Sequence, residues 1–186
     1  MEFRRLDLDG VLLVVPDVHH DERGYFLETY HRDKYAAGGI RETFVQDNQS
    51  FSHRGVLRGL HAQLRHPQGK LVRAITGEIF DVAVDIRPGS PTFGKWAGAT
   101  LSGDNARQLY VPPGFAHGFC VLSETALVQY KCTDVYRQGD EIGVVWNDPE
   151  IGIDWPVREP VLNEKDRKAS RLSDLVETLR TATLPR

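Results

Sequence analysis

Cysteine is scarce in this chain, which has 186 residues and only two cysteines, Cys120 and Cys132. The two do not form a C-x-x-C pair, and a single pair of thiols is no disulfide framework for a chain of this size. The composition therefore argues against a disulfide-stapled secreted domain. We predict that both cysteines are buried apolar thiols.

Long apolar runs are also missing from the start of the sequence. The segment Met1–Asp17 reads MEFRRLDLDGVLLVVPD, in which a mixed-charge start is followed by an apolar run of only five residues. Such a run is shorter than the apolar part of a signal peptide and much shorter than a membrane span. We therefore expect a cytoplasmic protein that has no membrane partner.

Low-complexity tracts and internal repeats are absent as well. Apolar residues make up 40% of the sequence and charged residues 26%, which is ordinary for a globular protein. A length of 186 residues suits one domain with a sizeable core. We predict a single domain that spans residues 1–186.

The sequence has no overall excess of positive charge, since its formal net charge is -3 and its pI is near 6.2. A nucleic-acid-binding protein normally presents a broad basic surface, so no nucleic-acid partner is expected. The exception is Asn48–Gly77, which has five basic residues, three histidines and no acid. Such a patch suits a compact anion such as a diphosphate, although a solvated basic face is the alternative. The basic residues are Arg54, Arg58, Arg65, Lys70 and Arg73.

Short strand patterns, separated by clusters of Gly, Pro, Asn and Asp, dominate the middle of the chain. Their number and spacing predict an all-β fold, either an antiparallel sandwich or a barrel. Helical periodicity is limited to the two flanks. The predicted strands are Leu71–Ile75, Glu78–Ile86, Gln108–Val111, Gly118–Leu122, Ala126–Thr133 and Gly143–Trp146, and the predicted helices are His31–Ala37 and a tail containing Leu172, Leu175, Val176 and Leu179.

The predicted strand GEIFDVAVDIR separates apolar residues from acids, because side chains alternate across a strand. One face is apolar from Phe80 to Ile86, and the other carries Asp81 and Asp85 between smaller residues. The acidic face fits either solvent exposure or the lining of a polar pocket.

The same alternation places two polar side chains on apolar strand faces. Tyr130 shares a face with Val128 and Cys132, which predicts a buried ring whose hydroxyl needs a partner. Lys70 shares a face with Val72, where an ammonium needs a charged partner or a ligand.

Eight blocks of the sequence together point to one known family. They are DERGYFLE (Asp21–Glu28), QDNQSFSHRGVLRGLHAQ (Gln46–Gln63), QGKLVR (Gln68–Arg73), GEIFDVAVDIRPGSPTFGKW (Gly77–Trp96), VPPGFAHGFCVLSE (Val111–Glu124), YKCTDVY (Tyr130–Tyr136), WNDPEIGIDWP (Trp146–Pro156) and NEKD (Asn163–Asp166). In this order they resemble the dTDP-4-dehydrorhamnose 3,5-epimerases of the cupin superfamily. The resemblance implies a cupin-type jelly-roll β-sandwich that works as a homodimer and uses no cofactor. It also implies a dTDP-sugar substrate, dTDP-4-dehydro-6-deoxy-D-glucose, whose C3 and C5 are inverted to give dTDP-4-dehydro-L-rhamnose.

Inversion next to a ketone requires a base, a stabilising charge and an acid, and the resemblance implies which residues supply them. His61 matches the family's base, and an imidazole with an ordinary pKa near about 6.5 is largely neutral at pH 7. Its implied partner is Asp166, with Asp81 left open as the alternative by strand alternation. Lys70 matches the lysine near the enolate oxygen, and Tyr130 matches the acid that returns the proton from the opposite face.

Eight further residues match the family's substrate-binding positions. Arg58 and Arg23 are suited to gripping a diphosphate, whereas an ionised Glu28 should face a donor such as a thymine N–H. Arg58 and His61 are three residues apart, so both can face one substrate only if Gly59 permits a bulge or the strand begins after it. The matched positions are Arg23, Glu28, Gln46, Asn48, Arg58, His117, Glu141 and Lys165.

Ala62 departs from the family pattern, which usually has an aromatic residue there. This departure leaves open an epimerase that inverts only C3 or only C5, or one that acts on a related dTDP sugar. A non-catalytic nucleotide-sugar-binding module is the alternative from another class. Such a module would explain the basic residues but not the joint presence of His61, Lys70 and Tyr130.

A metal site is not expected, although many cupins bind a metal through an H-x-H pair and a later histidine. The first pair reads His61-Ala62-Gln63 here, so only His61 and His117 remain. Two histidines are fewer ligands than metals usually take, and we predict no bound metal.

Overall fold

The computed structural model describes residues 1–183, which form two antiparallel sheets, a separate two-stranded hairpin and short helices. Residues 184–186 of the predicted domain lie outside the described residues. The strands are β1 (Glu2–Arg5), β2 (Leu12–Val15), β3 (Val18–Asp21), β4 (Gly24–Leu27), β5 (Gln46–His53), β6 (Leu57–Gln63), β7 (Lys70–Thr76), β8 (Glu78–Asp85), β9 (Trp96–Ser102), β10 (Gln108–Val111), β11 (Phe115–Val121), β12 (Thr125–Cys132) and β13 (Glu141–Gly143). The helices are α1 (Arg32–Ala37), α2 (Glu164–Arg167) and α3 (Leu172–Thr183).

The two sheets form a sandwich around a shared apolar core. One sheet has the order β1-β2-β10-β7-β12-β5, and the other has the order β13-β6-β11-β8-β9. Val72, Leu109 and Val128 of the first sheet pack in one core cluster with Ala83 and Phe119 of the second. The predicted all-β, jelly-roll sandwich is therefore confirmed, and β3 and β4 form the separate hairpin.

A second apolar core covers the outer face of the five-stranded sheet. Val82 and Val84 of β8 belong to this cluster together with Leu172 and Leu179 of α3 and with Trp155. The amphipathic tail helix predicted from its spacing is thus confirmed, and its apolar side packs on the sheet. Both faces of β8 are consequently buried.

The acidic face of β8 turns inward, toward the other sheet. Asp81 and Asp85 are both 0% exposed, while Ile79 and Ala83 on the same face belong to the inner core. The predicted alternation is confirmed, but the solvent-exposed alternative for the acidic face is wrong. A buried carboxylate needs hydrogen-bonding partners, so Asp81 and Asp85 mark polar places inside the sandwich.

Most differences between predicted and observed strands lie at strand ends. The largest concerns β13, which spans Glu141–Gly143 and ends where the predicted Gly143–Trp146 begins. Val144 follows this strand, forms an isolated bridge with Ser170 and exchanges two backbone hydrogen bonds with Leu60 of β6. Among the strands that the apolar pattern does not predict are β5 and β6, because polar residues alternate along β5 and Gly59 interrupts the period of β6.

The flanking helices begin and end at recognisable caps. His31 caps α1, accepting a hydrogen bond from Lys34 N at 3.4 Å, and the helix stops before Gly38 as predicted. The short helix α2 is not predicted, and its cap Asn163 accepts from Asp166 N at 2.7 Å. Within residues 1–183, no helix is long and apolar enough to cross a membrane.

Candidate active site

Two adjoining cavities open between the sheets and share His61, Lys70 and Tyr130 in their walls. Their volumes are about 280 and 210 Å³. His61 belongs to β6 in the five-stranded sheet, whereas Lys70 and Tyr130 belong to β7 and β12 in the six-stranded sheet. The imidazole and the phenol therefore stand on opposite walls of one space.

His61 is held by the carboxylate of Asp166. Nε2 of His61 lies 2.6 Å from Asp166 Oδ1, while Asp166 Oδ2 accepts a hydrogen bond from Gly59 N at 3.2 Å. Burial alone would raise the pKa of Asp166, but the hydrogen bond and charge of His61 outweigh it and lower that pKa. Since an ionised Asp166 accepts from Nε2–H, Nδ1 of His61 is left as the basic nitrogen, 3.7 Å from Glu141 Oε1.

Asp81, the alternative partner of His61, contacts a different histidine. Its Oδ1 lies 2.8 Å from Nε2 of His117, and both side chains are buried. Its Oδ2 has no hydrogen-bond partner within residues 1–183. Burial raises the pKa of Asp81, against the charge and hydrogen bond of His117. Of the two candidates, Asp166 is thus the residue that orients His61.

A bulge at Gly59 lets Arg58 and His61 face the same cavity. His61 lies opposite His117 and Arg58 lies opposite Phe119, so three steps along β6 match two along β11. Gly59 has φ +113, and a Cβ on it would lie 2.6 Å from the carbonyl oxygen of His117. The predicted bulge is confirmed, and only glycine fits this crossing of the two strands.

Lys70 is a buried lysine at the rear of the site. Its side chain is among the buried charged groups, and Nζ donates to the His61 carbonyl oxygen at 3.4 Å. Burial lowers the pKa of Lys70, opposed by the negative charges of Cys132, Glu141 and Asp81 when these groups are ionised. A desolvated ammonium of this kind interacts strongly with any negative charge that forms in the cavity.

Tyr130 faces both cavities from β12. Its ring packs against the inner core, and its centroid lies 6.4 Å from that of His117. Burial raises the pKa of Tyr130, while the charge of Arg58 works in the opposite direction. Among the described residues the hydroxyl has no hydrogen-bond partner. A bound ligand could supply the partner that the sequence predicts.

Several predicted binding residues line the same space. Gln46 and Asn48 lie on the inner face of the edge strand β5, where Gln46 Nε2 donates to Asn48 Oδ1 at 3.1 Å. Glu141 lines the larger cavity and pairs with Lys165 of α2. Arg58 lines the smaller one, with Nε donating to a serine hydroxyl of β5 at 3.0 Å.

Arg23 and Glu28 lie outside both cavities. The Arg23 side chain is 84% exposed at the β3–β4 turn, and its Nε donates to Asp21 Oδ2 at 3.1 Å. Glu28 accepts from Lys34 Nζ at 2.9 Å. Neither side chain therefore meets the predicted ligand within its own chain.

The basic run from Arg54 to Arg73 does not form one patch. Of its five basic residues, only Arg58 and Lys70 line the cavities next to His61. Arg65 lines another cavity, near α3. The prediction of a single positive cluster is wrong, because turns and strand alternation send neighbouring residues to different faces.

The prediction of two buried thiols is confirmed. Both cysteines are free and 0% exposed, and Cys120 lies in an apolar cluster. Cys132 also has polar neighbours, since it lies opposite Lys70 on the neighbouring strand and its Sγ accepts from Asn48 Nδ2 at 3.4 Å. Cys132 does not line either cavity.

Ser50 and Tyr136 are among the further residues that line the walls without being predicted. Ser50 follows from Gln46 and Asn48 by the alternation of β5, and it lines the smaller cavity. Tyr136 lines the larger one from the loop after β12, where no periodicity applies. In residues 1–183, no group of three or more His, Cys, Asp or Glu side chains is arranged to hold a metal.

Comparison with known proteins gives consistent matches over most of the chain. Residues 5–174 match the family model described as dTDP-4-dehydrorhamnose 3,5-epimerase. A Pseudomonas aeruginosa protein named dTDP-4-dehydrorhamnose 3,5-epimerase is 54% identical over 176 residues, covering 94% of this chain and 97% of that protein. A Streptomyces niveus protein named dTDP-4-dehydrorhamnose 3-epimerase is 40% identical, covering 94% of this chain and 85% of the relative.

Solved structures agree with this result. The crystal structure of dTDP-6-deoxy-D-glucose-3,5-epimerase from Legionella pneumophila, in complex with dTDP-4-keto-L-rhamnose, matches with a TM-score of 0.92 at 48% identity. The match covers 100% of this chain and 97% of that one.

Proposed function

The chain belongs to the dTDP-4-dehydrorhamnose 3,5-epimerase family, and from this membership we propose how its own residues perform the reaction. The activity is the epimerisation of dTDP-4-dehydro-6-deoxy-D-glucose at C3 and C5, which gives dTDP-4-dehydro-L-rhamnose. The observation that carries the proposed mechanism is the placement of His61 and Tyr130 on opposite sheets across one cavity. Inversion requires a base on one side of the carbon and an acid on the other.

His61 is the base of the proposed reaction. Nδ1 takes the proton from the carbon next to the ketone, and the electron pair of the broken C–H bond moves onto the C4 oxygen as an enolate. Asp166 keeps Nε2 protonated and stabilises the imidazolium that forms. A positioned base of this kind contributes roughly 10²–10⁴-fold to the rate.

Lys70 and Tyr130 complete the inversion. The Lys70 ammonium stabilises the enolate oxygen, and burial makes this interaction stronger than it would be in water. Tyr130 then gives its hydroxyl proton to the opposite face of the carbon, and the enolate electron pair forms the new C–H bond. The phenolate that remains lies near the positive charge of Arg58.

Substrate binding is assigned to the polar residues around these three. Arg58 is suited to a phosphate oxygen, while Gln46, Asn48, His117, Glu141 and Lys165 supply donors and acceptors around the sugar and nucleotide.

An exchange experiment in D2O tests the mechanism. Incubating dTDP-4-dehydro-6-deoxy-D-glucose with the protein should place deuterium at both C3 and C5. Label at one carbon alone would indicate a mono-epimerase, which Ala62 in the wall of the larger cavity keeps as the second candidate. The absence of label above background would indicate a nucleotide-sugar-binding module without epimerase activity.

A homodimer is part of the proposal. Arg23 and Glu28 match binding positions but lie outside the cavities of their own chain, and the hairpin that carries Arg23 also exposes Tyr25 and Phe26. The strand β5 forms both a cavity wall and the edge of its sheet, where unpaired backbone groups can receive another chain. A second copy that covers this edge would bring its own Arg23 to the cavity.

We also assign the protein to the cytoplasm. Two free thiols, Cys120 and Cys132, fit a reducing compartment.

A further inference from the structure

Two inversions on one substrate create a problem that the three proposed catalytic groups do not solve. After the first inversion His61 holds an extra proton and Tyr130 has lost one, so neither can act again. Before the second carbon can be inverted, the imidazolium must lose a proton and the phenolate must gain one. A single proton transfer between the two groups accomplishes both while the sugar fills the cavity.

His117 lines the smaller cavity together with the two groups that must be reset. It is the direct cross-strand partner of His61 in the β6–β11 pair, so the two side chains lie on the same face of the sheet. Its ring centroid is 6.4 Å from that of Tyr130. All three side chains line the smaller cavity.

Asp81 fixes the protonation of His117 as Asp166 does for His61. Its Oδ1 lies 2.8 Å from Nε2 of His117, which keeps the hydrogen on Nε2 and leaves Nδ1 as an acceptor. Among the described residues, Nδ1 of His117 has no hydrogen-bond partner. The cavity thus holds two His–Asp pairs side by side, and the proposed chemistry uses only one.

Burial makes the second pair costly if it has no function. Asp81 is 0% exposed and its Oδ2 has no hydrogen-bond partner in the described part of the chain, although such atoms normally find one. An apolar residue would fill the same place in the inner core without this penalty. A carboxylate here is suited to stabilise a positive charge that forms on the neighbouring ring during the reaction, in addition to the charge of Lys70.

We propose that His117, positioned by Asp81, relays a proton from His61 to Tyr130 between the two inversions. This inference rests on the proposed function. Nδ1 of His117 accepts the proton that Nδ1 of the His61 imidazolium gives up, and the resulting imidazolium is stabilised by Asp81. Nδ1 of His117 then delivers the same proton to the Tyr130 phenolate oxygen. The transfer moves one proton, makes or breaks no bond to carbon, and leaves all three groups as they were before the first inversion.

The test is a single-turnover reaction with enzyme in excess over dTDP-4-dehydro-6-deoxy-D-glucose, in which inversion at C3 and at C5 is followed by NMR of the sugar. In Asp81→Asn, the carbon that is inverted first should be inverted at a rate within about twofold of wild type. Inversion of the other carbon should slow by about 10²-fold or more, the lower end of what proton-transfer groups contribute. Singly inverted sugar should accumulate, and kcat should fall with little change in KM.

The control is Asp148→Asn, which alters another buried carboxylate. Asp148 accepts from Leu172 N at 2.8 Å at the start of α3 and does not line either cavity. This variant should leave the ratio of the two inversion rates unchanged. If Asp81→Asn does not fold, His117→Gln carries the same test, and added imidazole should then restore inversion of the second carbon.

Equal slowing at both carbons, or a rise in KM with an unchanged ratio of rates, would overturn the relay and leave His117 as a binding residue. Failure of the proposed function is a separate result, because the wild-type protein would then label neither carbon in the D2O exchange experiment.

Discussion

One hydrogen bond at the cavity wall decides which nitrogen of His61 is basic. The Asp166 carboxylate can only accept from Nε2, whereas an amide in its place can donate to that nitrogen and move the ring hydrogen to Nδ1. Asp166→Asn should therefore lower kcat on the order of 10²-fold, with KM changed little. Steady-state kinetics check this. Asp148→Asn is the matched control and should retain wild-type kcat, and a similar loss in both variants would indicate general disruption.

Tyr130 and Arg58 are assigned different roles, Tyr130 in the chemical step and Arg58 in substrate binding. Tyr130→Phe removes the proton that completes the inversion but keeps the ring, so kcat should fall by about 10² or more. Arg58→Ala removes a charged hydrogen-bond donor and should mainly raise KM, by roughly tenfold or more. Steady-state kinetics of the two variants, with titration of dTDP, test the division. Equal loss of affinity in both would contradict the assigned roles.

At the level of single residues, the sequence is most informative where a polar side chain interrupts an apolar strand face. Lys70 and Tyr130 stand out in this way, and both reach the cavity. The partner of His61 could not be chosen by alternation, because Asp166 reaches it from a helix distant in sequence. Cys132 is buried as predicted, but its contact with Asn48 could not be predicted because the two residues lie far apart in sequence.

The turn after β8 is held by one carboxylate. Burial alone would raise the pKa of Asp85, but hydrogen bonds from Arg87, Ser90 and Thr92 outweigh it and bring the pKa to about 2. Relative to an ordinary value of 3.8, this shift corresponds to about 2 kcal/mol of stability at neutral pH. Because the folded pKa is depressed, the contribution is complete well above pH 3.8 and is lost as pH falls toward 2.

Asp85→Asn should accordingly lower the free energy of unfolding by about 2 kcal/mol at pH 7 and by less at pH 3. Urea unfolding at the two pH values measures the difference. The control is Asp33→Asn, since Asp33 pairs with Arg32 at 2.8 Å but both side chains are exposed, and its loss should be much smaller. A difference between wild type and Asp85→Asn that does not shrink at pH 3 would contradict this account.

Helices and strands were predictable where one side-chain periodicity holds along the whole element. They were not predictable where an irregularity at the site interrupts that periodicity. The alternation of β8 and the spacing of α3 are regular, and both elements form as predicted. In β6 the bulge at Gly59 turns Arg58 and His61 to one side, so no single period describes the strand. The bulge at Gly59 removes the regular alternation that would have predicted β6. The same bulge brings Arg58 and His61 to one cavity.

For the whole molecule, the sandwich followed from many short strands, but the pairing of strands distant in sequence did not. Residues of β5 and β12 lie opposite each other from Gln46 to His53, and this pairing creates the cavity wall that holds Asn48 beside Cys132. Local patterns carry no information on which strands become neighbours. The same limit applies to contacts between copies, and Arg23, which lies outside the cavities of its own chain, is proposed to act in those of a second copy.

Mixing two impaired variants tests the role of Arg23 in a dimer. Arg23→Ala should weaken substrate binding by roughly tenfold or more, while His61→Ala abolishes the base. If Arg23 serves the partner's cavity, a mixed dimer has one site with both residues intact and one with neither. Random exchange of subunits should then restore roughly a quarter of wild-type sites. Activity at limiting substrate after mixing, with exchange followed by native mass spectrometry, measures this recovery.

The control for Arg23→Ala is Arg4→Ala, because Arg4 forms the same kind of surface pair with an acid two residues away, Glu2. Arg4→Ala should leave KM unchanged. If subunits exchange and activity does not rise, Arg23 does not act in the partner's cavity. In that case the exposed hairpin has another role, and a single chain must supply every group that binds the diphosphate. Recovery of activity would instead mean that each site takes residues from both copies, so dissociation of the dimer would weaken substrate binding without altering His61, Lys70 or Tyr130.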